Sequence, residues 1–213
     1  METPYNPLDK INLGANVAEA LLSREAIPLA DLTEFSGAGI YVLYYMGSFP
    51  AYALLAEENR KSRCAWPIYI GKAIPSGSRK GGVLTPEPSN ALLARLREHA
   101  KSIETADNLF LADFHCRHLV VDDIWIPLGE ALLIAWFSPV WNALVDGFGN
   151  HDPGRGRHQG MRPRWDVLHP GRAWAEKCRD RPESAEQIMI DVESYLRAHP
   201  IPSLFGRGRR TEG

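Results

Sequence analysis

The run Gly39-Ile40-Tyr41-Val42-Leu43-Tyr44-Tyr45 decides the fold class, because β-branched and aromatic side chains in unbroken succession suit a pleated strand. Gly37 and Gly39 introduce it. Pro67-Ile68-Tyr69-Ile70-Gly71 reads as a second, shorter strand, and the alternation of Phe110, Ala112, Phe114 and Cys116 with polar neighbours predicts a third. Helical periods surround them. Leu13, Val17, Leu21 and Leu22 predict a helix over 11–23, and Pro50 opens a short one reaching residue 58. Further helices are expected over 89–105, from Asp122 and Asp123 to residue 137 where Pro139 stops it, and over 184–198. The loop at 147–160 is too rich in turn formers to be regular. This order of elements is a mixed α/β pattern of the α+β kind.

Composition narrows the function classes. With 213 residues, 45% of them hydrophobic and 23% charged, the chain can bury one core of ordinary size. No apolar run approaches the roughly 20 residues of a membrane helix, and the polar segment 1–10 does not read as a signal peptide. Cys64, Cys116 and Cys178 lie too far apart to suggest a zinc pattern or a disulfide framework, which suits the cytoplasm. The net charge of −2 does not announce a nucleic-acid binder, but its distribution is uneven. Arg60, Lys61, Arg63, Lys72, Arg79 and Lys80 follow one another without an acidic residue, and Arg155, Arg157, Arg162, Arg164 and Arg172 cluster further on. Such patches suit either phosphate binding or solvated loops.

Several residues carry chemistry only in combination. Arg95 and His99 stand four apart on a predicted helix, one turn above the other at the border of its apolar stripe. A guanidinium can clamp a phosphate and an imidazole can hold a proton, although an ordinary amphipathic helix has such border residues too. Glu130 has Ile126, Pro127, Leu133 and Ile134 as helical neighbours. A carboxylate on so apolar a face needs a compensating charge or hydrogen bonds, from a divalent cation or an unseen arginine, unless it reaches solvent at the helix start. Tyr41 and Tyr69 each lie on a strand within a short glycine-containing tripeptide, and Asn142 follows Pro139-Val140-Trp141.

Taken in order, Gly39-Ile40-Tyr41, Tyr69-Ile70-Gly71, Arg95 with His99, Glu130 and Asn142 resemble the signature of the GIY-YIG nucleases. The resemblance covers residues 37–144. It implies a small three-stranded antiparallel sheet flanked by helices. It also implies an N-terminal helical arm over 1–36, a nuclease core over 37–146 with an inserted helix and loop at 46–66, and a C-terminal DNA-contacting extension over 147–213. About 27 residues, 42–68, separate the two tyrosine motifs, where many members have a short turn. Tyr44 and Tyr45 are therefore competitors for the place of Tyr41, and only Tyr45 would share its face.

Gly-Phe-Gly-Asn-His-Asp-Pro-Gly at 147–154 and the tryptophan-rich stretch 165–175 resemble a restriction-endonuclease branch that cuts a GC-rich palindrome. The resemblance implies a type II restriction enzyme hydrolysing double-stranded DNA with Mg²⁺, or Mn²⁺ in its place. Glu130 would be its metal ligand, and Tyr41, Tyr69, Lys72, Arg95, His99 and Asn142 its catalytic residues. Tyr41 would orient or deprotonate the attacking water, with Lys72 or His99 as the cation that helps it, and Asn142 would position Glu130. Arg79, Lys80, Arg155, Arg157, Arg162, Arg164, His169 and Arg172 are expected to contact DNA, with His158 and Gln159 nearby. A palindrome implies a homodimer, and a restriction role implies a cognate methyltransferase gene. The rival readings are a structure-selective repair or homing nuclease and a non-catalytic nucleic-acid-binding module.

Overall fold

The computed structural model describes residues 9–74, 89–152, 154 and 159–202. Helix α1 is Lys10–Leu22, started by Asp9, whose side chain accepts from the Ile11 amide at 2.8 Å. A two-residue strand β1, Ile27–Pro28, and the long strand β2, Gly39–Tyr45, follow. Helix α2 spans Ala53–Lys61, β3 Tyr69–Ala73, α3 Ala91–Thr105 and β4 Phe114–Val120. Helices α4 (Ile126–Phe137), α5 (Val140–Ala143), α6 (Arg164–Leu168) and α7 (Ala185–Ala198) complete the order.

One antiparallel sheet runs β1-β4-β2-β3, so β3 is an edge strand and β2 lies inside. Among the described residues the sheet has four strands where three were expected. The added strand is β1, whose Ile27 and Pro28 pair with Cys116 and His115 of β4. Two residues, one of them proline, carry no alternation that a sequence pattern can register. The expected third strand also begins later, at Phe114, because Leu111–Asp113 closes into a 3₁₀ turn. Likewise β3 starts at Tyr69 and α4 at Ile126, with Trp125 at its N-cap rather than an aspartate.

Every residue of β2 is buried, so both faces of the sheet are covered. Tyr41, Leu43 and Tyr45 pack with Leu92, Leu96 and Ile103 of α3, Trp141 of α5 and Ile188 and Val192 of α7. Ile40, Val42 and Tyr44 pack on the other side with Ala18 and Leu21 of α1 and Ile126, Leu133 and Phe137 of α4. A strand covered on both faces shows continuous hydrophobicity instead of alternation, as its sequence does.

The insertion between the tyrosine motifs is folded into this frame. Asn59 of α2 is fully buried and donates to the Tyr45 and Trp66 carbonyls at 3.0 and 2.8 Å, while its Oδ1 accepts from the Trp66 amide at 2.7 Å. It thereby ties the end of β2 to the chain entering β3. Asn59→Ala would leave buried peptide groups unpaired and should lower stability by about 2–4 kcal/mol. Urea unfolding of the two proteins measures this, and a loss within experimental error would show that the tie is not needed.

Candidate active site

The site is built around the edge strand. Tyr41 of β2 pairs in register with Gly71 of β3, two residues past Tyr69. A Cβ at Gly71 would run into the Tyr41 hydroxyl and ring, so glycine is what lets this phenol lie across the neighbouring strand. Tyr41 and Tyr69 consequently share one face, with ring centroids 6.2 Å apart. From α3, His99 comes down onto that face and its Nε2 is hydrogen-bonded to the Tyr41 hydroxyl at 2.6 Å. Phe148 stacks on the His99 ring at 4.5 Å and meets Tyr69 edge-on at 5.1 Å.

Burial controls protonation here. His99 is only 1% exposed, and burial, followed by the nearby Arg95 charge, holds its pKa well below the usual imidazole range. It is neutral at neutral pH. Burial and then Tyr69 push the Tyr41 phenol well above its ordinary value, while Arg95 pulls it back. The cation acting on Tyr41 is therefore Arg95, where the sequence reading offered Lys72 or His99, and His99 rests neutral beside it.

The pleat turns Lys72 the other way, toward α4, where its ammonium meets the Glu130 carboxylate at 2.5 Å. Glu130 thus has a cationic partner, and its side chain is 17% exposed. Its charge also reaches across the strand edge, since it raises the Tyr69 phenol after burial and against Arg95. Lys72 is engaged with the acid and not with Tyr41. The Asn142 side chain is hydrogen-bonded to Ile70 and not to Glu130. Its Oδ1 accepts from the Ile70 amide and its Nδ2 donates to the Ile70 carbonyl, both at 2.8 Å. It acts on β3 as another strand would, pinning the backbone between Tyr69 and Gly71.

The three competing tyrosines of β2 sit in different surroundings. The Tyr44 hydroxyl accepts from Arg117 at 2.6 Å on the opposite face, and the Tyr45 hydroxyl accepts from the Phe49 amide at 2.8 Å. Of the three β2 tyrosines, Tyr41 is the one whose ring meets Tyr69 and His99.

The DNA-contacting expectations divide. Arg79, Lys80, Arg155, Arg157 and His158 lie outside the described residues. Arg162 donates to the Ala175 carbonyl at 3.0 Å and pairs with Asp180 at 3.2 Å. Arg164, 14% exposed, pairs with Asp191 at 2.5 Å. His169 and Arg172 are interior residues, a correction to the expected surface role. His169 is hydrogen-bonded to Tyr52 Oη at 2.7 Å and Asn108 Oδ1 at 2.8 Å. Arg172 forms a bidentate pair with Asp166 at 2.6 Å for each contact. Alternating basic and aromatic residues look the same in sequence whether they face solvent or brace a core. Sequence reasoning also missed Phe148, His151 and Asp166 as parts of this region, although the glycine-rich stretch 147–154 marked the place.

A small antiparallel sheet presenting Gly39-Ile40-Tyr41 beside Tyr69-Ile70-Gly71, with Arg95 and His99 on the next helix, defines a GIY-YIG domain. Residues 33–196 match the family described as the Eco29kI GIY-YIG domain, and the chain belongs to that family of restriction-type nucleases. No curated protein matches it. No helix among the described residues is long and apolar enough to cross a membrane.

The buried imidazoles make stability pH-dependent. His169, held at about 3 by burial and then Arg172, lies below the unfolded value of about 6.5. Above that pH both states are neutral. Below it only the unfolded chain gains the proton, so stability falls as pH drops from about 6.5 toward 3, by about 1 kcal/mol per pH unit for each such histidine. His99 acts in the same direction. His169→Gln should lose stability at pH 7 yet depend on pH less steeply, by about one proton, between pH 6 and 4. Urea unfolding across that range tests this, and an unchanged slope would remove His169 from the account.

Proposed function

We propose that this chain is a type II restriction endonuclease. It hydrolyses phosphodiester bonds in double-stranded DNA at a palindromic, GC-rich site, as a homodimer in the cytoplasm, with Mg²⁺ as cofactor. The observation that supports it best is the convergence on one strand edge of two phenols, a neutral imidazole, a guanidinium and a single carboxylate. A non-catalytic binding module has no need of a fully buried Tyr–His pair one strand away from a partly exposed acid.

The donor set suits a hard divalent ion. Among the described residues no three His, Cys, Asp or Glu side chains gather as a cage, whereas Glu130 is a lone partly exposed carboxylate already balanced by a cation. Mg²⁺ commonly takes one or two carboxylates and completes its shell with water and phosphate oxygens. Glu130 would hold the ion, which supplies charge stabilisation at the scissile phosphate. Lys72 keeps the carboxylate in place and compensates its charge.

The remaining steps belong to side chains. Tyr41 orients the attacking water and accepts its proton while passing its own to His99 Nε2. A relay of this kind keeps the phenol neutral, as burial demands, and uses the imidazole in the form burial favours. The imidazolium it creates is unfavourable beside Arg95 until negative charge grows on the phosphate, which ties proton transfer to bond formation. Arg95 stabilises that charge as a fixed donor, and Tyr69 positions a phosphate oxygen. Asn142 keeps Tyr69 in place through β3. With His169 and Arg172 turned inward, contacts to DNA fall to Arg79, Lys80, Arg155 and Arg157, with Arg162 and Arg164 bracing the extension that carries the latter two.

Incubation of the protein and Mg²⁺ with phage DNA tests this reading. Discrete fragments support a restriction enzyme, junction-specific nicks a repair nuclease, and intact DNA a binding module. Glu130→Ala should abolish cleavage while DNA binding stays measurable. Tyr41→Phe, which keeps the ring, should lower turnover by about 10²–10⁴. Wild-type turnover in either variant would remove that residue from the chemistry.

A further inference from the structure

Arg95 is held from several directions at once. Its Nη2 donates to the Gly149 carbonyl at 2.8 Å, and its Nη1 to His151 Nε2 at 2.7 Å and to Glu98 Oε2 at 3.1 Å. A guanidinium has no acceptor, so Nε2 of His151 is the unprotonated nitrogen in this contact. Gly149 and His151 lie in the connection between α5 and α6, whose described residues form no helix and no strand beyond the isolated bridge of Met161 with Arg179.

A second arginine holds that connection. Arg172 donates from Nη2 to the Gly147 carbonyl at 2.9 Å, and from Nη1 to the carbonyls of Phe148 and Asn150 at 3.1 and 3.2 Å. Its other edge makes the bidentate pair with Asp166, whose side chain is 1% exposed against 5% for Arg172. Trp165 and Trp174 flank it, with ring centroids 4.4 and 4.9 Å from Cζ. Two guanidiniums therefore grip one short stretch of backbone, one from the interior with its charge neutralised and one from the site.

We propose that residues 147–151 form a cradle that sets the direction of the Arg95 guanidinium, with the Gly149 carbonyl and His151 Nε2 as positioning groups and the Arg172–Asp166 pair as their anchor. The proposal rests on the nuclease reading for what Arg95 does, though not for how it is held. Arginine loses much rotamer freedom when it is fixed, and a donor already aimed at the phosphate spares that cost during the reaction. The surroundings of His151 are mixed. Arg95, Glu98, His99 and Lys101 face it from α3, Asp152 from its own loop, and Arg172 and Lys177 from across the cleft they line together. A proton on Nε2 would remove the acceptor and set a second cation beside Arg95. The cradle thus works with a neutral imidazole.

The His151 side chain is 65% exposed, so its replacement leaves the core intact. In the full-length protein, His151→Ala should lower kcat for DNA cleavage about tenfold or more, with Kd for DNA changed less than about twofold. His151→Gln, which keeps an acceptor, should restore most of the rate. In an Arg95→Lys background the added His151→Ala should cost less than about twofold, because the group it positions is gone. Multiplying effects, or a loss of DNA affinity matching the loss of rate, would overturn the proposal. A measurement without DNA separates this from failure of the nuclease reading. The ¹⁵N signals of the His151 ring should report an Nδ1–H tautomer in the wild type and a solvent-like tautomer ratio in Arg95→Lys. The same ratio in both proteins would overturn the cradle, whether or not the protein cuts DNA.

Discussion

The absence of a side chain at Gly71 is the constraint from which the site follows. Tyr41 stands opposite it in an antiparallel register, and the phenol occupies the space that any Cβ would take. That close approach places the Tyr41 hydroxyl over the edge strand, next to Tyr69 and within 2.6 Å of His99. Antiparallel pairing also means that a one-residue slip would turn Tyr41 to the α4 face and Ile40 to the α3 face. Register is therefore as much a part of this site as any residue in it. It is secured twice over, by the ladder from Gly39 to Leu43 and by Asn142, whose amide closes both polar groups of Ile70.

Because the edge strand is thin, the site can draw on both faces of the sheet. Tyr69 and the gap at Gly71 look toward α3, and Lys72 looks toward α4. Charge is distributed along the same divide. The α3 face holds a phenol and an imidazole that burial keeps neutral, with Arg95 as the cation beside them. The α4 face holds the Lys72–Glu130 ion pair at partial exposure, where a strong Coulomb attraction does not require complete desolvation. The neutral Tyr–His pair and the Lys–Glu ion pair are thus separated by one strand and remain close enough for Glu130 to perturb Tyr69.

The C-terminal extension works as a brace for this arrangement. Trp141 and Trp165 meet edge-to-face at 5.9 Å, and Trp141 donates to the Tyr52 hydroxyl that also holds His169. Arg172 crosses from this aromatic cluster to the loop at 147–150, so the packing of α6 is mechanically linked to the position of Phe148 against His99. A buried arginine with a fully paired carboxylate stabilises little on net, but losing either partner is costly, which makes such a pair a rigid anchor.

The order of chemical residues from Tyr41 to Asn142 was legible only as a resemblance to a family, whereas local pattern alone determined the strands at Tyr41 and Tyr69 and the helices that became Lys10–Leu22 and Ala91–Thr105. These are properties of neighbours along the chain, where period and residue shape speak directly. Tertiary structure decided the rest. The two-residue β1 exists only because β4 offers it a partner. Lys72 belongs to Glu130 and not to Tyr41 because the pleat turns it toward α4. His169 and Arg172 are interior because aromatic side chains and Asp166 close around them. Whether a charge faces water or a core depends on what folds over it, and residues distant in sequence supply that cover.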